Sequence, residues 1–260
     1  MKLFQLAILA IFVVSCSSSD SEENVTLVPT NTVKKTIETI YISGTPEQSV
    51  INFNYENGIL KYLTTNSNYN GEFVYSGGKI VKYNLYENNV LSYTNDMSYD
   101  GNFLSEIVNN ESLTSFEYQD GKLKTMKYFI GSGVNYSLSK QDDYTYLNNN
   151  IYSNSSSNNF GGTIYESKSG FTYDNKNNVF KNMNPYLKYM LSFESIDLLS
   201  QNNILEKYVY DSPSSTDFHQ SHQYQITYNS ANYPIKVKKY STDVDGNIIS
   251  LISELVVEYN

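Results

Sequence analysis

Four short stretches of the sequence decide the fold: YENGIL (55–60), YSGGKI (75–80), YDGNFL (99–104) and YQDGKL (118–123). Each stretch places a tyrosine five residues before a leucine or an isoleucine, with two residues chosen from Gly, Asn and Asp at its centre. Such pairs favour two-residue hairpin turns, because a positive φ angle costs least at Gly, Asn and Asp. The stretches therefore predict four β-hairpins.

The turn at Asn57 and Gly58 also predicts how its two strands pair. The expected partners are Glu56 and Ile59, Tyr55 and Leu60, and Phe53 and Tyr62. In this register the apolar side chains of both strands lie on one face of the hairpin, because side chains alternate along a strand. Asn54 and Lys61 are expected on the opposite face.

Composition extends the prediction of β structure to the whole chain. There are 26 tyrosines and 12 phenylalanines, but only three alanines and no tryptophan. Alanine is the best helix former, whereas aromatic and β-branched residues fit half-buried strands. Successive repeat tyrosines lie 20, 24 and 19 residues apart, which is enough for two strands and two turns. We therefore expect an all-β fold, an antiparallel meander of hairpin repeats that forms a curved single sheet or an open barrel.

The repeats resemble those of YD-repeat proteins and of the bacterial lipoproteins related to them, whose units read roughly Tyr-Asp-x-x-Gly-x-Leu. The matching residues are Tyr99 with Asp100, Tyr173 with Asp174, and Gly121 with Leu123. Most units here lack the aspartate, and the arginine common in that family is absent from this chain. The resemblance covers residues 50–130 well and residues 165–260 loosely.

Beyond residue 130 the hairpin-repeat pattern becomes less regular. Residues 147–162, LNNNIYSNSSSNNFGG, are polar and of low complexity, which predicts a long loop or an exposed hairpin. Residues 184–205 predict a short helical insertion packed on the sheet, because Asn184 can cap a helix that has Pro185 at its first position. The residues expected to share one face of this helix are Leu187, Met190 and Leu191.

The amino-terminal segment predicts secretion. Lys2 precedes an uncharged run over residues 3–14, which is shorter than the ~20 residues that span a bilayer and has the length of a signal-peptide core. The run ends in VVSC, and these four residues resemble the lipobox of bacterial lipoproteins. That resemblance implies that Cys16 is acylated on sulfur, that the chain is cut just before it, and that the new amino terminus is acylated too. The alternative is an ordinary signal peptide followed by an incidental cysteine.

The stretch after Cys16 predicts a flexible tether, because SSSDSEEN contains no apolar residue. Serine directly after the cysteine resembles lipoproteins of an outer membrane. The acids at positions 20, 22 and 23 resemble, more loosely, the surface-export tethers of Bacteroidetes-type lipoproteins. A solvated linker that carries no targeting signal is an equal alternative. The expected organisation is a signal peptide over residues 1–15, a lipidated cysteine and tether over 16–31, and a single all-β domain over 32–260.

The charge and the motifs of the chain narrow the classes of function that it can have. The formal net charge is −9 and every basic residue is a lysine, so the basic footprint of a nucleic-acid-binding protein is absent. The sequence has no nucleophile elbow, no glycine-rich phosphate loop and no thiol other than Cys16. We therefore expect neither enzyme activity nor a cofactor. A glycosidase is the exception, because it needs only two carboxylates at a suitable separation.

Asp243, Asp245 and Asn247 resemble a fragment of a calcium loop. The later ligands and the closing glutamate of such a loop are missing. A hairpin turn at Asp245 and Gly246 is the simpler interpretation, and the sequence leaves calcium binding open.

The only two histidines, His219 and His222, would share a face on a helix but point in opposite directions on a regular strand. No third ligand for a metal ion is evident near them. Asp142 and Asp143 would also diverge on a strand, so a site of paired carboxylates is not predicted there.

Three functions from different classes fit these observations. The first is a noncatalytic binding or adhesion module for an extracellular polymer, such as a glycan or a protein, held to the lipid bilayer through Cys16. The second is a structural subunit of an outer-membrane complex, and the third is a glycan hydrolase. Tyrosine suits the first because it offers a flat stacking surface with a hydroxyl, although an AT-rich coding sequence would supply the same tyrosines without any ligand.

Overall fold

The computed structural model describes residues 30–41, 45–133, 135–185, 187–188 and 196–260. These residues form sixteen strands and one 3-10 helix, Ile196–Leu199. The strands are β1 Val33–Ile40, β2 Glu47–Glu56, β3 Ile59–Thr65, β4 Tyr69–Ser76, β5 Lys79–Glu87, β6 Val90–Asp100, β7 Phe103–Val108, β8 Ser112–Gln119, β9 Lys122–Ser132, β10 Asn135–Leu147, β11 Asn150–Phe160, β12 Thr163–Tyr173, β13 Ile204–Tyr210, β14 Phe218–Tyr228, β15 Pro234–Thr242 and β16 Ile248–Tyr259. Cys16, the signal peptide and the tether lie outside the described residues.

The strands form one antiparallel meander that closes into a barrel. Each strand pairs with its neighbours in the sequence, as predicted, and β1 also pairs with β16 along its length. The expectation of a curved single sheet or an open barrel is therefore wrong. Local turn chemistry sets which consecutive strands pair, but it carries no information on whether the first and last strands meet. Closure removes both free sheet edges.

All four predicted hairpin turns are confirmed. Both central residues have positive φ angles in three of them, at 57–58, 77–78 and 120–121. At 101–102 only Gly101 has a positive φ angle, +56°, which is the pattern of a type II′ turn. Asparagine pairs at 88–89 and 148–149 form two further turns with two positive φ angles.

The predicted pairing is confirmed next to the turn at 57–58 and is wrong beyond it. Phe53 pairs with Leu63 and not with Tyr62, because Lys61 forms a β-bulge. Tyr62 therefore lies on the same face as Asn54, outside the barrel. Register shifts recur directly before the other three repeat tyrosines, at 74/75, 98/99 and 117/118.

The apolar core lies inside the barrel, at the end where the repeat turns are. The Leu or Ile of every repeat is buried there, and so are phenylalanines two positions before tyrosines of the same pattern. The buried residues of these two kinds include Leu60, Ile80, Leu104, Leu123, Phe53, Phe73, Phe116 and Phe171. Val179, Met183 and Leu187, from the described residues between β12 and β13, add to the core at this end.

A row of tyrosines joins the hairpins at the same end. Each hydroxyl donates a hydrogen bond of 2.6–3.0 Å to a backbone carbonyl of a neighbouring hairpin. The pairs are Tyr55 with Val33, Tyr75 with Leu60, Tyr99 with Ile80, Tyr118 with Leu104, Tyr173 with Ile151, and Tyr259 with Pro234. We call this set the tyrosine ladder and this end of the barrel the ladder end. The opposite end, with the turns at 66–68, 88–89, 109–111 and 161–162, is the open end.

The outer face of the barrel carries charged pairs as well as apolar side chains, among them the row Val108, Leu113, Phe129 and Leu138 across β7 to β10. Ion pairs lie on it within the strands, including Lys82 with Asp96 at 2.8 Å and Lys127 with Glu117. The outward positions of β11 are serines and asparagines flanking Tyr152, as the pairing with β10 and β12 shows. Charged residues are costly on the lipid-facing side of a barrel that spans a bilayer.

The predicted loop or exposed hairpin over residues 147–162 is corrected by the structure. These residues form strand β11 between a turn at 148–149 and a turn at 161–162. Low complexity does not prevent pairing here, because the strand lies between two long neighbours that supply most of its backbone hydrogen-bond partners.

The predicted helical insertion is not confirmed as a helix packed on the sheet. Among the described residues of that stretch, Pro185, Leu187 and Lys188 have helical backbone and Ile196–Leu199 is a single 3-10 turn. Met190 and Leu191 lie outside the described residues. Leu187 is fully buried inside the barrel rather than laid on a sheet face.

Candidate functional site

The open end of the barrel contains a cavity of about 460 Å³, formed by the inner faces of β2 to β9. Four tyrosines line it: Tyr69, Tyr83, Tyr93 and Tyr128. Its apolar wall comes from Ile51, Leu63, Leu85 and Ile107. A cavity that combines flat aromatic faces, aliphatic side chains and a few polar groups has the general make-up of a ligand site.

Tyr83 is held in the cavity wall by two contacts. Its ring stacks on Phe73, with the ring centroids 5.0 Å apart. On its other side the ring occupies the space that a side chain at Gly71 would need, since a Cβ atom there would lie 2.5 Å from the Tyr83 hydroxyl oxygen. An aromatic ring over a strand glycine restores the packing that the glycine lacks. The glycine thus fixes where the tyrosine lies.

Tyr69 lies at the rim of the cavity. Its hydroxyl donates a hydrogen bond of 3.1 Å to the Glu87 carboxylate. This hydrogen bond and the negative charge of Glu87 raise the pKa of Tyr69, so the phenol keeps its proton and continues to donate to the carboxylate. The ring therefore presents a defined face to the mouth of the cavity.

Two asparagines supply ordered amide groups on the wall. The Asn109 side-chain amide donates a hydrogen bond of 2.9 Å to the Asn95 side-chain oxygen. The Asn109 side-chain oxygen accepts hydrogen bonds from the backbone N–H groups of Glu111 and Ser112, at 2.9 and 2.8 Å. Because these contacts hold both amides in place, their remaining donors and acceptors can recognise a hydroxyl or a peptide group with little loss of entropy.

The described residues that line the cavity include no carboxylate, amine or imidazole. Their polar atoms are hydroxyls and amides, which bind neutral polar groups but transfer protons poorly near neutral pH. The arrangement is suited to binding a ligand rather than to acid–base chemistry.

Next to the cavity, the inner face carries a charged pair. Lys140 pairs across the strands with Tyr128, and its ammonium group lies 2.8 Å from the buried carboxylate of Asp142. Asp143 lies on the outer face, where it accepts a hydrogen bond of 2.6 Å from Thr125. The two aspartates diverge as predicted and form no paired-carboxylate site.

The two histidines do not diverge, and this prediction is wrong. Ser221 is an extra residue in β14, so that His219 pairs with Val209 while His222 pairs with Lys207. The bulge brings both histidines to the inner face. His219 lies 3.8 Å from the Asp211 carboxylate. In the described parts of the chain, no group of three or more His, Cys, Asp or Glu residues is placed to share a metal ion.

The loop after β15 is a turn built on Asp243. Its carboxylate accepts hydrogen bonds from the backbone N–H groups of Asp245 and Asn247, at 3.0 and 2.8 Å, and from the Asn247 side-chain amide. These donors lower the pKa of Asp243. They also occupy both carboxylate oxygens, so the geometry supports the hairpin-turn interpretation of this loop rather than a calcium site.

Sequence analysis did not identify the residues of the cavity. Tyr83, Tyr93 and Asn95 lie outside the four repeat stretches, and they become neighbours only because β4 to β7 pair in sequence order. On β6, alternation back from Tyr99 is the signal that places Asn95 and Tyr93 on the inner face. On β5 the bulge at Val81 interrupts the alternation, so the pattern does not place Tyr83 there. No helix among the described residues is long and apolar enough to cross a membrane.

No protein-family model matches this sequence, and no curated protein matches it. Among solved structures, the chain is similar to a porin-like protein from Bacteroides uniformis, with a TM-score of 0.41 and 13% sequence identity. The similarity covers 89% of this chain and 98% of that chain. A likeness of this degree identifies neither a family nor an activity, so the function is argued from the cavity itself.

Proposed function

We propose that this protein is a noncatalytic binding protein of the bacterial envelope, held to a membrane by lipid on Cys16, and that its ligand occupies the tyrosine-lined cavity. The observation that carries the proposal is the cavity, because its lining combines four tyrosines and two fixed asparagine amides with no acid–base group. Its expected ligand is a segment of a neutral glycan. Tyrosine rings stack on sugar rings, and amides pair with sugar hydroxyls.

The charged pairs on the outer face support anchoring by lipid rather than by the barrel wall. Lys82, Asp96, Lys127 and Glu117 would face hydrocarbon if the barrel crossed a bilayer, at a cost of several kcal/mol. A lipid on Cys16 and the tether after it leave the barrel in water. The first described residues, 30–33, lie at the ladder end, so the open end and its cavity lie at the opposite end from the tether.

The test measures retention and product release together. The full chain, purified in a nonionic detergent, is passed over immobilised neutral glycans, and the eluate is analysed for shorter sugars. We expect retention without cleavage, and loss of retention in Tyr93→Ala. Tyr62→Ala is the matched control, because Tyr62 and Tyr93 are similarly exposed, 39% and 41%, on opposite faces of the barrel.

Equal loss in both variants would place the ligand elsewhere than in the cavity. Release of shorter sugars that a carboxylate substitution abolishes would make the protein a hydrolase. Failure of every glycan to bind would contradict the proposal and favour a second function.

That second candidate is a structural subunit of an outer-membrane complex, and it is favoured by apolar hairpin tips at the open end. Val90, Phe160 and Val244 are 68%, 68% and 73% exposed there. Ile164 and Ile249 are also exposed, on the same hairpins as Phe160 and Val244. Exposed apolar patches often mark protein interfaces. Co-purification of an envelope protein that is lost in Phe160→Ser, with glycan retention unchanged, would support this alternative.

A further inference from the structure

Another cavity, of about 570 Å³, lies at the ladder end of the barrel. Its lining comes from the turn after β10, the start of β11, the end of β12 and residues 201–202. We call this cavity the ladder-end pocket. It shares no lining residue with the tyrosine-lined cavity at the open end, so a ligand in one does not contact the residues of the other.

The pocket forms because β11 and β12 separate near the ladder end. Their pairing ends at Ser153 and Gly170. From there β11 extends to Asn150 and β12 to Tyr173. The Tyr173 hydroxyl bridges the gap, since it donates a hydrogen bond of 2.8 Å to the Ile151 carbonyl. An extended peptide would have to displace this bridge in order to pair with either strand, so the opening favours a ligand that needs no strand pairing.

Side-chain amides from two distant segments hold the pocket in shape. The Asn150 amide donates a hydrogen bond of 3.0 Å to the Asn202 side-chain oxygen, and the Asn202 backbone N–H donates one of 2.9 Å to the Asn150 side-chain oxygen. The Asn202 amide also donates to the Lys176 carbonyl, at 2.7 Å. Because these contacts form without a ligand, binding orders few protein groups and loses little entropy.

Asp174 is the one charged side chain among the described residues that line the pocket, and its carboxylate is well supplied with donors. One oxygen accepts hydrogen bonds from the backbone N–H groups of Lys176 and Asn203, at 3.0 and 3.1 Å. The other accepts from the Asn203 side-chain amide at 3.0 Å and from the Tyr228 hydroxyl. Four donors already stabilise the negative charge, so the pocket does not require a cation and favours a neutral ligand.

Several groups in the pocket remain available to a ligand. The side chains of Asn148 and Asn175 have no hydrogen-bond partner among the described residues. The Gln201 side-chain oxygen accepts a hydrogen bond of 3.3 Å from the Asn149 amide, which leaves the Gln201 amide N–H groups as donors. Tyr152 is 52% exposed, and within the described parts of the chain it has neither a ring contact nor a side-chain hydrogen bond. The pocket thus offers one aromatic face with amide donors and acceptors beside it.

We propose that the ladder-end pocket is a second binding site, for a neutral sugar unit of a glycan. The sugar ring stacks on Tyr152, and amides such as those of Asn148 and Asn175 pair with its hydroxyls. Sugar hydroxyls both donate and accept hydrogen bonds, as side-chain amides do. The inference goes beyond the proposed function, because this site needs neither the tyrosine-lined cavity nor lipid on Cys16.

The test locates the sugar site by titration calorimetry. The full chain, in a nonionic detergent without a sugar headgroup, is titrated with three neutral probes, maltohexaose, cellohexaose and N-acetylchitohexaose. We expect at least one hexaose to bind, and to bind about tenfold or more weakly in Tyr152→Ala, because the stacking surface is lost. Tyr62→Ala is the matched control, since Tyr62 is also exposed but does not line the pocket.

A second pair of variants tests the amide without disturbing the backbone. Asn148 and Asn88 hold the same position in two Asn-Asn turns, with φ angles of +51° and +52°, and glycine adopts such angles without strain. Asn148→Gly should weaken hexaose binding about fivefold, since one hydrogen bond to the ligand is lost. Asn88→Gly should leave it unchanged, because Asn88 does not line the pocket. Equal losses in the two glycine variants, or no loss in Tyr152→Ala, overturn the proposal.

Tyr93→Ala separates this site from the proposed function. Hexaose binding that Tyr152→Ala weakens and Tyr93→Ala leaves intact supports the ladder-end pocket, whether or not the tyrosine-lined cavity binds a glycan. Binding that Tyr93→Ala alone weakens supports the proposed function and overturns this site. Retention of a mixed peptide pool that Tyr152→Ala abolishes, without binding of any hexaose, would assign the pocket to peptides and also overturn the proposal.

Discussion

The hydroxyl of Tyr75 donates a hydrogen bond of 2.8 Å to the backbone carbonyl of Leu60, fifteen residues earlier in the chain. Tyr99 does the same to Ile80, at 2.6 Å. In both cases the acceptor belongs to the residue that closes the preceding repeat stretch. The Leu or Ile of one repeat therefore packs its side chain in the core, and its backbone carbonyl accepts a hydrogen bond from the tyrosine of the next repeat. This arrangement explains why the repeats use tyrosine and not phenylalanine.

Removing one hydroxyl of the tyrosine ladder should destabilise the barrel. In Tyr75→Phe the ring still packs, but the Leu60 carbonyl loses its side-chain donor. We expect the free energy of unfolding to fall by about 1 kcal/mol, the usual net value of such a hydrogen bond. Urea denaturation measures the change. Tyr152→Phe is the control, because Tyr152 is exposed on the outer face and should show no change. Equal stability of all three proteins would mean that the ladder does not stabilise the fold.

The ladder also predicts sensitivity to alkaline pH. Burial raises the pKa of Tyr55 and of Tyr75 from 10.0 to about 12, which means that the folded state favours the neutral phenol. The stability contributed by this preference is complete below pH 10 and is lost as the pH rises towards 12. We expect urea denaturation at a series of pH values to show falling stability across this interval.

The matching variant removes both titrating groups. In the double variant Tyr55→Phe and Tyr75→Phe, stability should depend less steeply on pH between 10 and 12 than in the natural sequence. An unchanged slope would assign the alkaline transition to other residues.

The hairpin turns should tolerate asparagine but not a β-branched residue. Gly121 has a φ angle of +75°, and a Cβ atom there would have no heavy atom within 4 Å, so backbone strain is the only cost of a side chain. Gly121→Val should lower the free energy of unfolding by about 1 kcal/mol or more. Gly121→Asn should cost less, because asparagine enters the left-handed region readily. Gly58, with a φ angle of +73°, should behave in the same way. Two valine variants as stable as the parent would contradict this account of the turns.

The repeat stretches predicted the hairpins because turn chemistry is local. Positive φ angles at Gly58 and Gly121 follow from residue type alone, and the turns then determine which consecutive strands pair. The bulge at Lys61 was not predictable in this way, because alternation assumes one residue opposite each partner. The same limitation applies to His219 and His222, which alternation along a regular strand would place on opposite faces.

Barrel closure and the cavity depend on contacts between distant parts of the chain. The pairing of β1 with β16 joins residues more than two hundred positions apart, and no local sequence pattern predicts this pairing. The repeat at Tyr146 was missed because its turn is Asn148-Asn149, although Ile151 lies five residues after the tyrosine as in the other repeats. No sequence feature distinguishes Tyr83 and Tyr93 from other strand tyrosines. Only the strand order brings both to the cavity.

The lipid anchor makes a prediction about partitioning. If Cys16 carries the acyl chains, the natural chain should enter the detergent phase in a Triton X-114 extraction, and Cys16→Ala should leave an uncleaved or soluble product. Lipid supplies this affinity in proportion to the buried chain length, so a product that is cleaved but carries no lipid should leave the detergent phase. Ser17→Ala, one residue further on, is the control and should still partition with detergent. Unchanged partitioning of Cys16→Ala would rule out the lipoprotein interpretation.

The last prediction separates the shape of the cavity from the stability of the fold. In Gly71→Ala the new Cβ atom would lie 2.5 Å from both the Cε2 atom and the hydroxyl oxygen of Tyr83, so the ring must leave its place against Phe73 and move within the cavity. Only the far end of one side chain has to move, so we expect a small loss of stability and a large loss of glycan retention. Gly170→Ala is the matched control, because Tyr210 covers Gly170 with a looser contact of 3.2 Å and neither residue lines the cavity. Combining Gly71→Ala with Tyr83→Leu removes the clash and should restore stability without restoring retention. If Gly71→Ala binds glycans as the parent does, the position of Tyr83 does not matter to the ligand, and the cavity is not where the ligand binds.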